Sequence, residues 1–232
     1  MKQTIYLTII LCALFLSGCG NSSEFPKNAE TNVANVAANT NTNVTVNVVT
    51  NTAEEAEKTE KAKNEIVNST KKLKDLKSWS ARMISETMSA VNGEMKFVAP
   101  DRFYLKQGGN EAIVIGKDSY VREEGGKWSK SKDDLSSLME MSKGGMSEEI
   151  IKKIKNVRVI GDVNLEGKPT TLYEHKTDEN RMLSTTKMWI SKESGLLLKS
   201  ERETIVSGKL QRLTIFFDYE KEVTIESPKI EQ

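Results

Sequence analysis

Cysteine, histidine and proline are nearly missing from this chain, at 2, 1 and 4 of its 232 residues. Cys12 lies inside an N-terminal apolar stretch and Cys19 directly follows it, so the body beyond residue 19 holds no thiol. That excludes a disulfide framework, a redox pair and a cysteine nucleophile from the folded part. One histidine with no cysteine beside it leaves no soft-metal cluster. His175, next to Glu174 on an expected strand, reads as a satisfied surface or edge position. Serines are frequent, yet none sits in a Gly-x-Ser-x-Gly elbow. Ser142-Lys143-Gly144-Gly145 lacks the spacing of a phosphate loop. The adjacent carboxylates Asp133-Asp134 and Glu148-Glu149 fall at expected helix starts, where the helix dipole and solvent account for them. A charge excess of either sign is also missing, with 34 basic against 33 acidic side chains. No global field favours nucleic acid or an anionic surface. The expectation is a protein with no catalytic residues, no cofactor, no metal and no nucleic-acid partner.

Only one long apolar run exists, Ile5 to Leu16, preceded by Lys2. About twelve residues are too few to cross a hydrocarbon core of roughly 30 Å, but suit the h-region of a signal peptide. Leu16-Ser17-Gly18-Cys19 closes the run and resembles the lipobox of bacterial lipoproteins. The resemblance implies cleavage after residue 18 and acylation of Cys19, the candidate lipidation site. Several acyl chains, each buried methylene contributing about 0.8 kcal/mol, would hold the chain on a membrane. Residue 20 is glycine rather than the aspartate of inner-membrane retention. The expected location is the cell envelope: the outer membrane facing the periplasm in a diderm, or otherwise the outer face of the cytoplasmic membrane. Loss of Lys2 with the signal leaves the mature side chains balanced at 33 of each sign.

Residues 19–52 combine the lipidated cysteine with a low-complexity stretch of Asn, Thr, Val and Ala. Such a segment buries too little apolar surface to offset its ordering entropy and is expected to be a disordered tether. Its 33 residues beyond Cys19 would span about 30 Å r.m.s.. A domain over 53–228 and a tail at 229–232 follow. A helix over 53–77 is expected, with Thr52 as N-cap, acidic residues in the first turn, and an apolar stripe containing Ile66 and Leu73. From Trp79 the period falls to two. Strands are expected at 80–89, 94–99, 103–107, 112–115 and 120–122, then at 157–165, 170–175, 182–190, 196–205, 209–219 and 222–226. Gly-containing turns punctuate both series. Two short helices, 133–141 and 147–154, separate them. Short connections leave no room for parallel crossovers, so the sheet should be a mainly antiparallel meander.

Several stretches, taken in order, resemble the bacterial outer-membrane lipoprotein carrier-like superfamily. That superfamily includes the periplasmic lipoprotein chaperone, its membrane receptor and mycobacterial glycolipid carriers. The stretches are Gly93 to Phe103 with its Pro100-Asp101-Arg102 turn, Ala112 to Tyr120, Gly126-Lys127-Trp128, Asn164 to Glu174, and Trp189 to Lys199. Phe217-Asp218-Tyr219 and Val223 to Pro228 complete the series. Leu197 stands where relatives usually carry proline. The resemblance spans about residues 73–228. It implies an α+β fold in which a strongly curved, mainly antiparallel sheet forms an incomplete β-barrel covered by helices, with acyl chains taken between them.

Alternation then nominates a ligand-facing wall: Met83, Met95, Phe97, Leu105, Ile113, Ile115, Met188, Ile190, Leu196, Leu198 and Phe217, with Met139 from the helical insert. Any sheet packed on helices needs the same stripe, so these residues serve equally as core. Methionine suits an adaptable groove as well as a loosely packed interior. Arg82, between Ala81 and Met83, is either a head-group contact or a solvent-facing charge. Two functions remain open. One is a membrane-anchored carrier or receptor for a lipid or acylated ligand, with lipid or lipoprotein cargo. The other is a non-catalytic sensor or scaffold binding an envelope protein.

Overall fold

The computed structural model describes residues 52–138, 148–179 and 182–230. Cys19, the stretch expected to be a tether and Met139 lie outside the described residues.

Helix α1 runs from Thr52 to Lys72, with Glu54 and Glu55 in its first turn and Lys71 and Lys72 in its last. Both pairs match the sign of the dipole end they occupy. Ala62, Ile66, Ser69, Thr70 and Leu73 are buried along one side. The two hydroxyls return hydrogen bonds to the Ile66 and Val67 carbonyls, which lets polar side chains occupy a buried helix face. Eleven strands follow: β1 Ser78–Ser85, β2 Gly93–Val98, β3 Arg102–Gln107, β4 Asn110–Ile115, β5 Asp118–Arg122, β6 Ser129–Lys130, β7 Ile154–Leu165, β8 Lys168–Glu179, β9 Met182–Ser191, β10 Leu197–Val206 and β11 Lys209–Asp218. A short helix α2, Glu148–Lys153, leads directly into β7.

The sheet has the order β6-β5-β4-β3-β2-β1-β11-β10-β9-β8-β7, and every ladder is antiparallel. Two meanders therefore meet through their first and last strands, β1 against β11. The expectation of a strongly curved incomplete barrel is overturned: the sheet is open and not strongly curled. Its edges, β6 and β7, have no strand partner on their outer sides among the described residues. Curling and closure need bulges and a progressive stagger between neighbours. The ladders from β11 through β1 to β6 run without a register shift, and shifts occur only between β7 and β8 and between β9 and β10.

Two further differences concern the ends. The first strand stops at Ser85, where the Ser85 hydroxyl accepts the Thr87 and Met88 amides and turns the chain. Residues 222–226 form no strand. Instead Val223 and Ile225 press onto Ile113 on one face of the sheet, and Arg102 Nη1 donates to the Ile225 carbonyl at 2.6 Å.

Alternation defines two unlike faces. The inner face carries two buried clusters. One joins Trp79, Met83, Met95, Phe97, Phe103, Leu105 and Val114 with Leu138 from the β6–β7 connection. The other joins Ala62 and Ile66 of α1 with Tyr173, Met188, Ile190 and Leu197. The Phe217 ring packs against both. The outer face is largely charged. Arg212 bridges Glu203 and Glu86, Arg122 pairs with Glu111, and Lys199 lies 4.3 Å from the Trp189 ring centre.

Candidate functional site

Register decides where each nominated residue falls. The Gly108-Gly109 turn pairs Leu105 with Ala112 and Phe103 with Val114, so Ala112 and Val114 share the inner face with Met95 and Phe97. Met83, Met95, Phe97 and Leu105 come together there, with Phe217 alongside. Met188 and Ile190 lie in the second inner cluster, and Phe217 connects the two groups. Ile113 and Ile115 do not join them, because they project to the outer face beneath Val223 and Ile225. Leu196 and Leu198 are half-buried while Leu197 between them takes the buried position. The shift in register between Leu197 and Lys199 produces this exchange. Arg82 is exposed on the outer face, its guanidinium 5.0 Å from the Phe216 ring centre, a cation–π arrangement at the surface.

A groove of about 470 Å³ opens where α1 crosses β7 and β8. That size falls within the roughly 300–1,000 Å³ occupied by small-molecule sites. Ala62, Val157, Val159 and Tyr173 give it an apolar floor, and Lys58, Lys61, Glu65 and Arg158 stand at its margin. Ala62, Val157 and Tyr173 belong to the second inner cluster, so the floor continues into the interior. The Tyr173 hydroxyl donates to the Glu65 carboxylate and ties the helix to the sheet. Burial and this carboxylate hold the phenol far above its usual ionisation range. Arg158 makes a forked hydrogen bond to the buried Glu174 carboxylate at 3.0 and 2.7 Å. Sequence reasoning missed this groove because alternation in β7 is interrupted. Register shifts between Lys155 and Arg158 and between Val159 and Gly161 change which side chains face inward.

Beyond the apolar clusters, the inner face of β8–β11 becomes polar. Register places Tyr173, Met188, Ser200 and Ile215 in one cross-strand row. The next row is His175, Thr186, Arg202 and Leu213, and the one after contains Thr177, Ser184 and Thr204. Ser184 and Thr204 hydroxyls are 2.8 Å apart, and Arg202 Nη2 donates to the Ser184 oxygen at 3.1 Å. His175 is not the satisfied edge residue that its sequence position implied. It is 3 % exposed on an interior strand, and neither ring nitrogen makes a well-formed hydrogen bond, although the Lys176 backbone lies near the ring. Burial, aided by the nearby Arg202 charge, lowers its pKa to about 4 and keeps the imidazole neutral near pH 7. The Trp79 indole N–H is the other buried side-chain donor without a partner among the described residues.

Among the described residues no three His, Cys, Asp or Glu side chains gather as a metal site. The lone histidine has no serine or carboxylate hydrogen-bonded to it, so no nucleophile–base pair is present there. No helix among the described residues is long and apolar enough to cross a membrane.

No protein-family model matches the chain, and no curated protein matches it in sequence. Solved structures do. Lipoprotein LppX from Mycobacterium tuberculosis is similar at 14 % identity and a TM-score of 0.53, over 72 % of this chain and 99 % of that one. LprF from Mycobacterium bovis is similar at 14 % identity and a TM-score of 0.53, over 73 % of this chain and 97 % of that one. The chain thus shares its fold with these two mycobacterial proteins.

Proposed function

We propose that this chain is an envelope-anchored carrier or receptor that holds the apolar part of a lipid or acylated ligand between α1 and the inner face of the sheet. The observation that carries this reading is the groove beside α1, whose apolar floor runs into the buried Met188–Ile190 region with half-buried Phe217 beside it. Capture would be driven by removing acyl surface from water, at about 25 cal/mol per Å². The charged margin would leave a polar end of the ligand near solvent. Lipidation at Cys19 would place the domain on a membrane and confine its exchange to partners within tether reach. The lipoprotein identity of LppX and the fold shared with LppX and LprF support this assignment. The test is to purify the chain carrying Cys19→Ser, record native mass spectra, and titrate a fluorescent fatty-acid probe. Bound lipid or saturable probe binding, weakened by Ala62→Trp in the groove floor, is expected. A lipid-free protein that ignores the probe would sink the carrier reading.

A second reading, a scaffold for an envelope protein, is favoured by β7. This edge strand has twelve residues, and Val159 and Ile160 are exposed on it. An unpaired edge of that length is a template for an added strand. Amide exchange protection along β7 on adding envelope extract would support it, and unchanged exchange would count against it.

A further inference from the structure

We propose that the polar rows of β8–β10, centred on His175, form a head-group subsite for a hydroxyl-bearing amphiphile, such as a glycerol or sugar ester, whose chain lies on the adjoining apolar rows. This inference rests on the carrier reading and names the chemistry of the ligand's polar end.

The gradient along the sheet supplies the first support. Ile190 and Leu197 lead to Tyr173 and Met188, then to His175, Thr186 and Arg202, and finally to Thr177, Ser184 and Thr204. Neighbouring strand residues on one face lie about 7 Å apart along the strand. A single-chain amphiphile lying along β8 and β9 would meet apolar and then polar groups in the order of its own structure.

His175 supplies the second. A buried neutral imidazole carries one N–H donor and one acceptor nitrogen, and neither makes a well-formed hydrogen bond here, although the Lys176 backbone lies near the ring. Leaving either unsatisfied costs about 1–3 kcal/mol. A ligand hydroxyl answers both needs, since the same group donates and accepts. A carboxylate or phosphate only accepts and would leave the bare nitrogen unmatched. The surrounding groups are of the same kind: Ser184 and Thr204 are already linked through their hydroxyls, and Arg202 reaches Ser184 from the side. Thr186 and Arg202 are half-buried beside the buried Ser184 and His175 on the same face. The charged groups facing this row are Arg202 from β10 and, through the strand from the other face, Glu174 of β8.

The test uses the full chain carrying Cys19→Ser and three ligands with one chain length: 1-monomyristoylglycerol, methyl myristate and tetradecyl sulfate, an anion without a hydroxyl. Competition against a fluorescent acyl probe gives relative affinities, and the single histidine gives one ring nitrogen signal pair by NMR. The expected result is roughly tenfold tighter binding of the monoglyceride than of the methyl ester, the equivalent of one satisfied buried hydrogen bond. His175→Phe keeps the ring volume and should erase that preference while leaving methyl myristate affinity unchanged. The monoglyceride, and not the methyl ester, should shift the His175 ring nitrogens in the wild-type chain, a readout independent of how any variant folds. Equal binding of ester and monoglyceride, or an unmoved histidine signal, overturns the subsite and leaves the carrier reading standing. Tightest binding of the tetradecyl sulfate overturns the hydroxyl assignment in favour of an anion. Failure of all three ligands to compete overturns both readings together.

Discussion

Replacing His175 by leucine should flatten the acid limb of the protein's stability curve. The folded-state pKa is about 4 against an ordinary value of 6.5, with burial the main cause and Arg202 the second. Because the folded value is the lower one, the unfolded chain takes up the proton first. Stability is therefore intact above about pH 6.5 and falls as the pH drops from there towards 4. Each pKa unit corresponds to about 1.4 kcal/mol, so this one side chain accounts for a loss of about 3 kcal/mol across that window. Leucine cannot take up the proton, and it also removes two unmatched nitrogens. At pH 7.5 the variant should be at least as stable as the wild type. Urea denaturation followed by tryptophan fluorescence at pH 7.5, 6.5, 5.5 and 4.5 measures this. The difference between the two proteins, rather than either curve alone, isolates His175 from carboxylates such as Asp162 and Asp218. Those carboxylates have depressed pKa values and lose their own contribution at lower pH. Since the chain holds one histidine, NMR titration of the folded state reads its protonation directly. A native-state midpoint near 6.5, or wild-type and variant curves that stay parallel down to pH 4.5, would refute the reasoning.

Three other changes test separate parts of the structure. Phe217→Ala should cost about 3–5 kcal/mol, because the ring serves both inner clusters; a loss under 1 kcal/mol in chemical denaturation would contradict that placement. Gly93→Ala should destabilise by about 3 kcal/mol, since a Cβ there would overlap the Lys106 carbonyl of the paired strand, and an unchanged melting temperature would show that the two strands can part. Cys19→Ser should move the protein from the membrane fraction to the soluble fraction and abolish labelling by a palmitate analogue; retention of either property would remove the lipid anchor from the proposal.

Within single strands, the sequence discloses which residues share a face. Met95 with Phe97 and Phe103 with Leu105 alternate cleanly against Glu94, Lys96, Tyr104 and Lys106, and each pair is buried. The phase between strands is harder to read where both parities are apolar. Ala112-Ile113-Val114-Ile115 offers two equivalent stripes, and only the pairing set by the Gly108-Gly109 turn sends Ile113 outward. Leu196-Leu197-Leu198 is a similar case, decided by a bulge that no residue pattern announces. Sheet openness was illegible for the same reason: alternation encodes faces, whereas curl depends on stagger and bulges between strands. The polar inner rows escaped because Thr186, Arg202 and Thr204 sit among other polar residues, where no apolar alternation marks the inward face. Their meaning depends on His175 being buried beside them, a fact of register and cover rather than of composition.

The pairing of β1 with β11 also bears on how the chain reaches this structure. Ser80 stands opposite Asp218, so the central ladder joins segments from the two ends of the described domain. All other ladders connect strands that follow one another in sequence. Hairpins of that local kind form in about 1–10 μs, while a contact between remote segments must first overcome a large loop-closure entropy. Each meander can thus assemble early, with the seam between β1 and β11 closing last. Until it closes, both strands present unpaired edges, and the β11 edge carries Leu213, Ile215 and Phe217. Protection of that seam during folding would then fall to whatever accompanies the unfolded chain, before any ligand or partner can be engaged.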